Sequence, residues 1–367
     1  MGYKKDSLSI ISTLRSRHVF VIAWAVALAS CLYWNYSFSM RYSSQRDQAY
    51  LWGWDNNGYF AWGRSMALDG DIHFENDFDF IAGLDGFGIT RKVYADFLEN
   101  TPRTITGHVP NKYGLGSGLI SLPSLYLARL ISLIYESVTG IKVSQYAAIY
   151  VLAFNWTSII IGFLGLLLSF RLLRDVYGAR LAGLSVLSGA TGLSITHYFL
   201  YEPSMAHLFG FGVSVFFIAA TLHWWRVLMS RGAGQNMMKL LPPAFVMGFL
   251  LGISTMIRYP DCVIGLVPPV LAIAGYLRIG REGRMPLLHM SVFSLFPAMI
   301  GFVVGFMPQM IAWKTLYGSY LYYSYQGEHL AFWPKNILLV LFGERNSLFL
   351  WTPLALISVT GLLLGAA

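Results

Sequence analysis

The chain has 367 residues, 56% hydrophobic, 16% aromatic and only 12% charged, with a mean hydropathy of +0.54 and a formal net charge of +8. Soluble domains run at about 45–50% apolar and about 25% charged, so this composition excludes an ordinary soluble globular protein and points to a membrane protein. The basic residues are scattered over short loops between apolar runs and build no groove-tracking patch, which argues against nucleic acid as a partner.

Lys4, Lys5, Arg15 and Arg17 precede the first apolar run, 19–38. The sequence Leu28-Ala29-Ser30-Cys31 resembles a lipoprotein cleavage box, but the run continues past it through Leu32, Tyr33 and Trp34. At about twenty residues it is long enough to span, and an uncleaved first helix is expected. Further spans are predicted at 146–170, 181–199, 207–228, 241–258, 262–277, 288–313 and 348–366. The segment 117–139 is apolar but carries Pro123, Arg129 and Glu136, which predicts an amphipathic helix lying at the outer interface. The shorter run 336–342 is expected to do the same. Cys31 and Cys262 both fall inside predicted spans and form neither a disulfide framework nor a metal cluster.

The charges fix an orientation. With the N-terminus inside, the inner segments 1–17, 171–180, 226–239 and 278–286 hold thirteen Lys and Arg against three acids. Counting 117–139 as a ninth span would turn the basic loop RLLRDVYGAR outward, against the positive-inside rule. The expected fold is therefore an all-α polytopic bundle of about eight transmembrane helices, a single transmembrane domain over 1–367, with both termini cytoplasmic in an inner (plasma) membrane. Two large outer segments, 40–145 with juxtamembrane helices and 314–347, carry nearly all the polar chemistry.

Nine of the eighteen acids lie between Asp55 and Glu99. Asp55 sits among Trp52, Trp54, Tyr59, Phe60 and Trp62, where a carboxylate held among apolar rings is poised to take a proton; the same position also suits a helix N-cap. Asp69 and Asp71, in a run with Glu75, Asp77 and Asp79, are weak metal candidates, and a divalent cation is the one candidate cofactor; their spacing is not that of an EF-hand. Glu202, in the short outer turn YEPSMAH, is an acid close to the membrane, which suits either a functional carboxylate facing Asp55 or a cap on the next helix. Arg258 ends a span on the outer side, where a guanidinium snorkels, pairs with Asp261 or grips a phosphate. Lys112, Arg345 and Lys314 are candidates to join it.

Taken in order, a first span, a long outer loop opening with WDNNGYFAWGRSMALDGD, the segment NKYGLGSGLISLP, the inner turn RLLRDVYGAR, the outer turn YEPSMAH, Arg258 and the stretch LFGERNSLFLWTPL resemble the GT-C superfamily of integral-membrane glycosyltransferases. The similarity is closer to the branch of protein O-mannosyltransferases and the aminoarabinose transferase of lipid A. The resemblance implies a GT-C-like bundle, a polyprenyl-phosphate-linked sugar donor and an inverting transfer to a lipid, glycan or protein acceptor on the periplasmic or outer side. By position it makes Asp55 the base, Glu202 the second-loop acid and Arg258 the grip on the donor phosphate. Tyr59, His108, Asn111, Tyr113 and Glu328 are expected to line the substrate cavity. The sequence departs from a paired-carboxylate pattern, because Asn56 follows Asp55.

Two alternatives of other classes stay open: a lipid or solute transporter (a flippase), and a non-catalytic assembly subunit. Transporters place ionisable residues near the midplane, often in repeated halves. Here the acids sit at the outer rim and no repeat is visible.

Overall fold

The computed structural model describes residues 3–41, 53–83, 88–230, 237–326, 337–345 and 347–366. Regular structure among them is helical throughout. That is the expected form for apolar runs whose backbone finds no partner in lipid. In chain order the helices are α1 (Tyr3–Arg41), α2 (Gly53–Arg64, widened into a π-helical turn at Ser65–Asp69), α3 (Glu75–Gly83), α4 (Gly88–Asn100), α5 (Gly116–Thr139), α6 (Ala148–Gly192) and α7 (Ile195–Leu200). They continue with α8 (His207–Met229), α9 (Leu241–Ile257), α10 (Val267–Arg278), α11 (Arg281–Tyr317), α12 (Ile337–Phe342), α13 (Leu348–Trp351) and α14 (Pro353–Ala366). Short 3-10 turns lead into α9 and α10.

Seven stretches among the described residues are long and apolar enough to cross a membrane: 20–41 in α1, α5, α6, α8, α9 and α10 with their leading turns, and α11. The chain is thus a polytopic helical membrane protein. Three of these elements differ from the sequence expectation. The runs 146–170 and 181–199 are joined in α6, which breaks at Gly178 (φ 80°, ψ 163°), a conformation that glycine adopts without strain. The two arms fold back on one another: a Cβ on Gly183 would lie 4.0 Å from the Phe170 ring. The expected last span, 348–366, is divided, because Thr352 is non-helical and Pro353 offers no N–H to the preceding turn. The fourteen residues of α14 extend about 21 Å, short of a hydrocarbon core of about 30 Å.

The third difference concerns α5, expected at the interface, which by length and composition alone also qualifies to cross. Both its ends lead back to α2. Gly118 near its start lies against Gly63, while beyond its end Glu136 accepts from the Val143 N–H (3.0 Å) and Gln145 accepts from Arg64 (3.2 Å).

The tightest seam in the bundle joins α9 to α11. Gly248 and Gly252 on α9, and Gly301 and Gly305 on α11, are each four residues apart. A Cβ on Gly248 would stand 1.9 Å from the Ala298 carbonyl oxygen, and one on Gly301 2.2 Å from that of Phe245. In lipid no hydrophobic force drives helices together, so such close backbone packing is the main attraction. The seam fixes the end of α9 that Arg258 follows. Gly248→Val or Gly301→Val is expected to overpack it at a cost of about 1–3 kcal/mol. This is read as a lower thermal-unfolding midpoint of the detergent-solubilised protein. Gly361→Ala on α14, where a Cβ meets nothing within 4 Å, should leave the midpoint unchanged.

Candidate functional site

Asp55 lies in the first turn of α2, where the helix dipole favours a negative charge. Helical spacing puts Gly58, Tyr59 and Trp62 on the same face. Gly58 decides what covers that face: a Cβ there would stand 2.1 Å from the Tyr113 ring. Its absence lets the ring lie on α2 and the Tyr113 hydroxyl donate to Asp55 Oδ1 at 2.5 Å. That distance is typical of an O–H donor to a carboxylate. Burial, then the bond to Asp55 and its charge, hold the Tyr113 hydroxyl well above its ordinary pKa, so it stays protonated and remains a donor.

The segment 111–116 is tied on all sides. The Asn111 side chain donates to the Gly58 carbonyl (2.9 Å) and accepts from the Tyr113 N–H (3.2 Å). The Trp62 indole donates to the Tyr113 carbonyl (3.0 Å), and Gln309 of α11 accepts from the Leu115 N–H (2.8 Å). The Tyr317 hydroxyl donates to the Asn111 carbonyl (2.9 Å) and Ser324 to that of Lys112 (2.7 Å). Gly114 and Gly116 press against the backbone of Met256 and Ile257 at the end of α9. The segment thereby carries Asp55 and Arg258 to the same end of the bundle.

Tyr59 is within electrostatic reach of both. It is buried, its ring 4.8 Å from that of Tyr113, in one apolar cluster with Ala206 and Ile257. Burial chiefly raises its pKa. Asp55 raises it further, while the Arg258 charge lowers it, so the hydroxyl senses both groups. Arg258 is about one-third exposed and its Nη1 is 3.8 Å from Asp261 Oδ1, a loose pairing. Gly210 of α8 leaves room for both side chains. Glu202 stands further round, 3.6 Å from His197 Nε2, with Tyr198 within electrostatic reach of both Glu202 and Arg258.

Beside Tyr113 a cavity of about 660 Å³ opens between α2, α4, the 101–113 loop and residues 322–326. Trp54, Tyr94, Asn111, Lys112, Tyr113, Tyr322 and Ser324 line it. Asn111 and Tyr113 line this cavity, Lys112, expected beside Arg258, lines it as well, and Tyr59, expected in the wall, does not. His108 instead stacks on His73 (4.4 Å). Lys314 donates to the Gly318 carbonyl that ends α11 (2.9 Å), and Arg345 is exposed in the turn between α12 and α13, so neither joins Arg258. Glu328 lies outside the described residues.

The acids beyond Asp55 act mainly as fasteners. Arg64 is fully buried, with Nη1 2.6 Å from Asp69 and 3.0 Å from Asp77, Nη2 on Gln145, and its guanidinium over the Tyr146 ring. Asp71 accepts from the Ser65 hydroxyl (2.7 Å) and the His73 N–H (3.0 Å), and Glu75 pairs with Arg103 (2.5 Å). Among the described residues no group of three His, Cys, Asp or Glu is placed to hold a metal ion. Burial pushes Asp77 up to about 8 against the opposing pull of Arg64. Sequence reasoning missed Arg64, Tyr94, Gln309, Tyr322 and Ser324. A single arginine, glutamine, serine or tyrosine carries no local signal of which residue it will meet, and the partners of Gln309 and Ser324 lie 194 and 212 positions away.

Comparison with protein-family profiles, curated proteins and solved structures finds nothing that matches this chain.

Two outcomes follow from the Arg64 cluster. Arg64→Met should cost about 3–5 kcal/mol, because it strands two carboxylates in a buried site. Asp77 has a folded pKa above its unfolded value, so its contribution to stability is present at low pH and is lost as pH rises through about 8. Asp77→Asn should flatten the fall in thermal midpoint between about pH 4 and pH 8 seen with the unsubstituted chain.

Proposed function

We propose that the chain is an integral-membrane glycosyltransferase that moves a sugar from a polyprenyl-phosphate donor to an acceptor hydroxyl on the non-cytoplasmic side. The observation that supports this most directly is a carboxylate and a guanidinium, 203 positions apart in sequence, joined to one end of the bundle through the 111–116 segment and both within electrostatic reach of the buried Tyr59, beside a cavity. The basic inner loops put that end outside. On this reading α5, both of whose ends lead to α2, lies along the outer interface, and α6 supplies two spans, its shorter second arm being continued by α7.

In this mechanism Asp55 accepts the proton of the acceptor O–H as its oxygen bonds to the anomeric carbon. The bond from that carbon to the phosphate oxygen breaks, and its electron pair leaves with the phosphate. Arg258 offsets the charge gained there, an interaction worth more in a partly dry site than in water. Tyr113 orients the carboxylate, leaving its second oxygen for the substrate. Activation resides in the donor, so no nucleotide site is required. An apolar cavity of about 470 Å³ among α8, α9, α10 and α11, lined by Phe217, Leu251 and Phe302, suits the donor's hydrocarbon chain.

The test is sugar transfer by the reconstituted protein from a radiolabelled polyprenyl-phosphate sugar. Asp55→Asn should lower kcat by about 10²–10⁴-fold with the folded yield unchanged. Full activity in that variant would remove Asp55 as base. Arg258→Ala should weaken binding of polyprenyl phosphate by about 10–100-fold, the equivalent of one or two charge-assisted hydrogen bonds. Unaltered affinity would remove Arg258 as the phosphate grip.

A further inference from the structure

The two cavities have opposite chemistry. The one among α8 to α11 is walled almost wholly by aliphatic and aromatic carbon. The one beside Asp55 interleaves seven aromatic rings with hydroxyl, amide and cationic groups, and its volume falls in the range of small-ligand sites. Its rings are held before any ligand arrives. Trp54 stacks on Tyr94 (4.3 Å) and meets the edge of Phe97, while Tyr317 stacks on Tyr322 (4.1 Å). The Tyr94 hydroxyl is tied to the Trp54 carbonyl (3.0 Å) and that of Tyr317 to Asn111. A wall fixed in this way costs little ordering entropy on binding.

We infer that this cavity binds a saccharide, and that it is the acceptor site. A pyranose presents an apolar C–H face to an aromatic ring and a girdle of hydroxyls at its edge, the two features that the wall alternates. An acyl chain would set hydrocarbon against the charged ends of Lys112 and Arg103, which also line the cavity, and desolvating a charge is costly. A peptide added as a strand needs an open sheet edge, and the described residues contain no strand. The Tyr113 ring forms part of this wall and its hydroxyl touches Asp55, so a sugar bound against the ring lies next to the residue that holds the carboxylate. The acceptor role rests on the transferase reading; the saccharide site does not.

The experiment measures binding without any donor. The full chain in nanodiscs is titrated with maltotriose, chitotriose and trigalacturonate, followed by tryptophan fluorescence and saturation-transfer NMR. At least one trisaccharide should bind. Tyr322→Leu should weaken it about tenfold or more, and Gln326→Ala, at an exposed position that tolerates change, should weaken it several-fold. The inference is overturned if none binds, or if binding ignores both substitutions in folded protein. Trisaccharide binding that depends on Tyr322, together with no sugar transfer, retires the transferase reading and keeps the site. Transfer to a lipid or peptide acceptor with no trisaccharide binding does the reverse.

Discussion

The organisation of the end of the bundle that holds Asp55 depends on one constraint: the segment 111–116 runs through it as irregular backbone, and its polar groups must be satisfied. Unpaired backbone N–H and C=O groups away from water are costly. The carbonyls of Asn111, Lys112 and Tyr113 therefore accept from Tyr317, Ser324 and Trp62, and the N–H groups of Tyr113 and Leu115 find Asn111 and Gln309. Those partners come from α2, α11 and the second outer segment, while the glycines of the segment admit the end of α9. One short stretch thus ties together four parts of the chain that have no local reason to meet.

The placement of charge follows from that arrangement. Asp69 and Asp77 hold Arg64, which joins the far end of α2 to α3 and to the lead into α6. Such a cluster gains little over a well-packed apolar one, but it specifies a unique geometry strongly, because misplacing any member strands a buried charge. Asp55 differs from these acids. Its described partner is the neutral hydroxyl of Tyr113, a residue that also lines the cavity. Fixed ion pairs anchor α2 at one end, and a carboxylate with spare acceptor capacity stands at the other.

Legibility was uneven. The helical runs could be read because hydropathy and length are local quantities, and the hairpin at Gly178 sits inside the loop RLLRDVYGAR that positive charge had already marked as a turn. The division at Thr352–Pro353 was signalled by the proline but outweighed by the apolar run around it. Asp55, Tyr113, Asn111 and Lys112 stood out from their aromatic and glycine-bearing context. Lys314 and Arg345 looked equivalent to Arg258 as outer cations, and only the helix end that Lys314 caps and the exposed turn that holds Arg345 separate them from it.

The sequence by itself determined that the chain is a helical membrane protein with half of its acids gathered between Asp55 and Glu99, since burial in lipid and the cost of charge there act on each short stretch independently. The tertiary structure alone decided which acid is held by an arginine and which by a tyrosine. That choice depends on missing side chains at Gly58, Gly114 and Gly116, where a few cubic ångströms let distant backbones touch. Steric room of this kind belongs to a pair of elements and is written in neither of them alone.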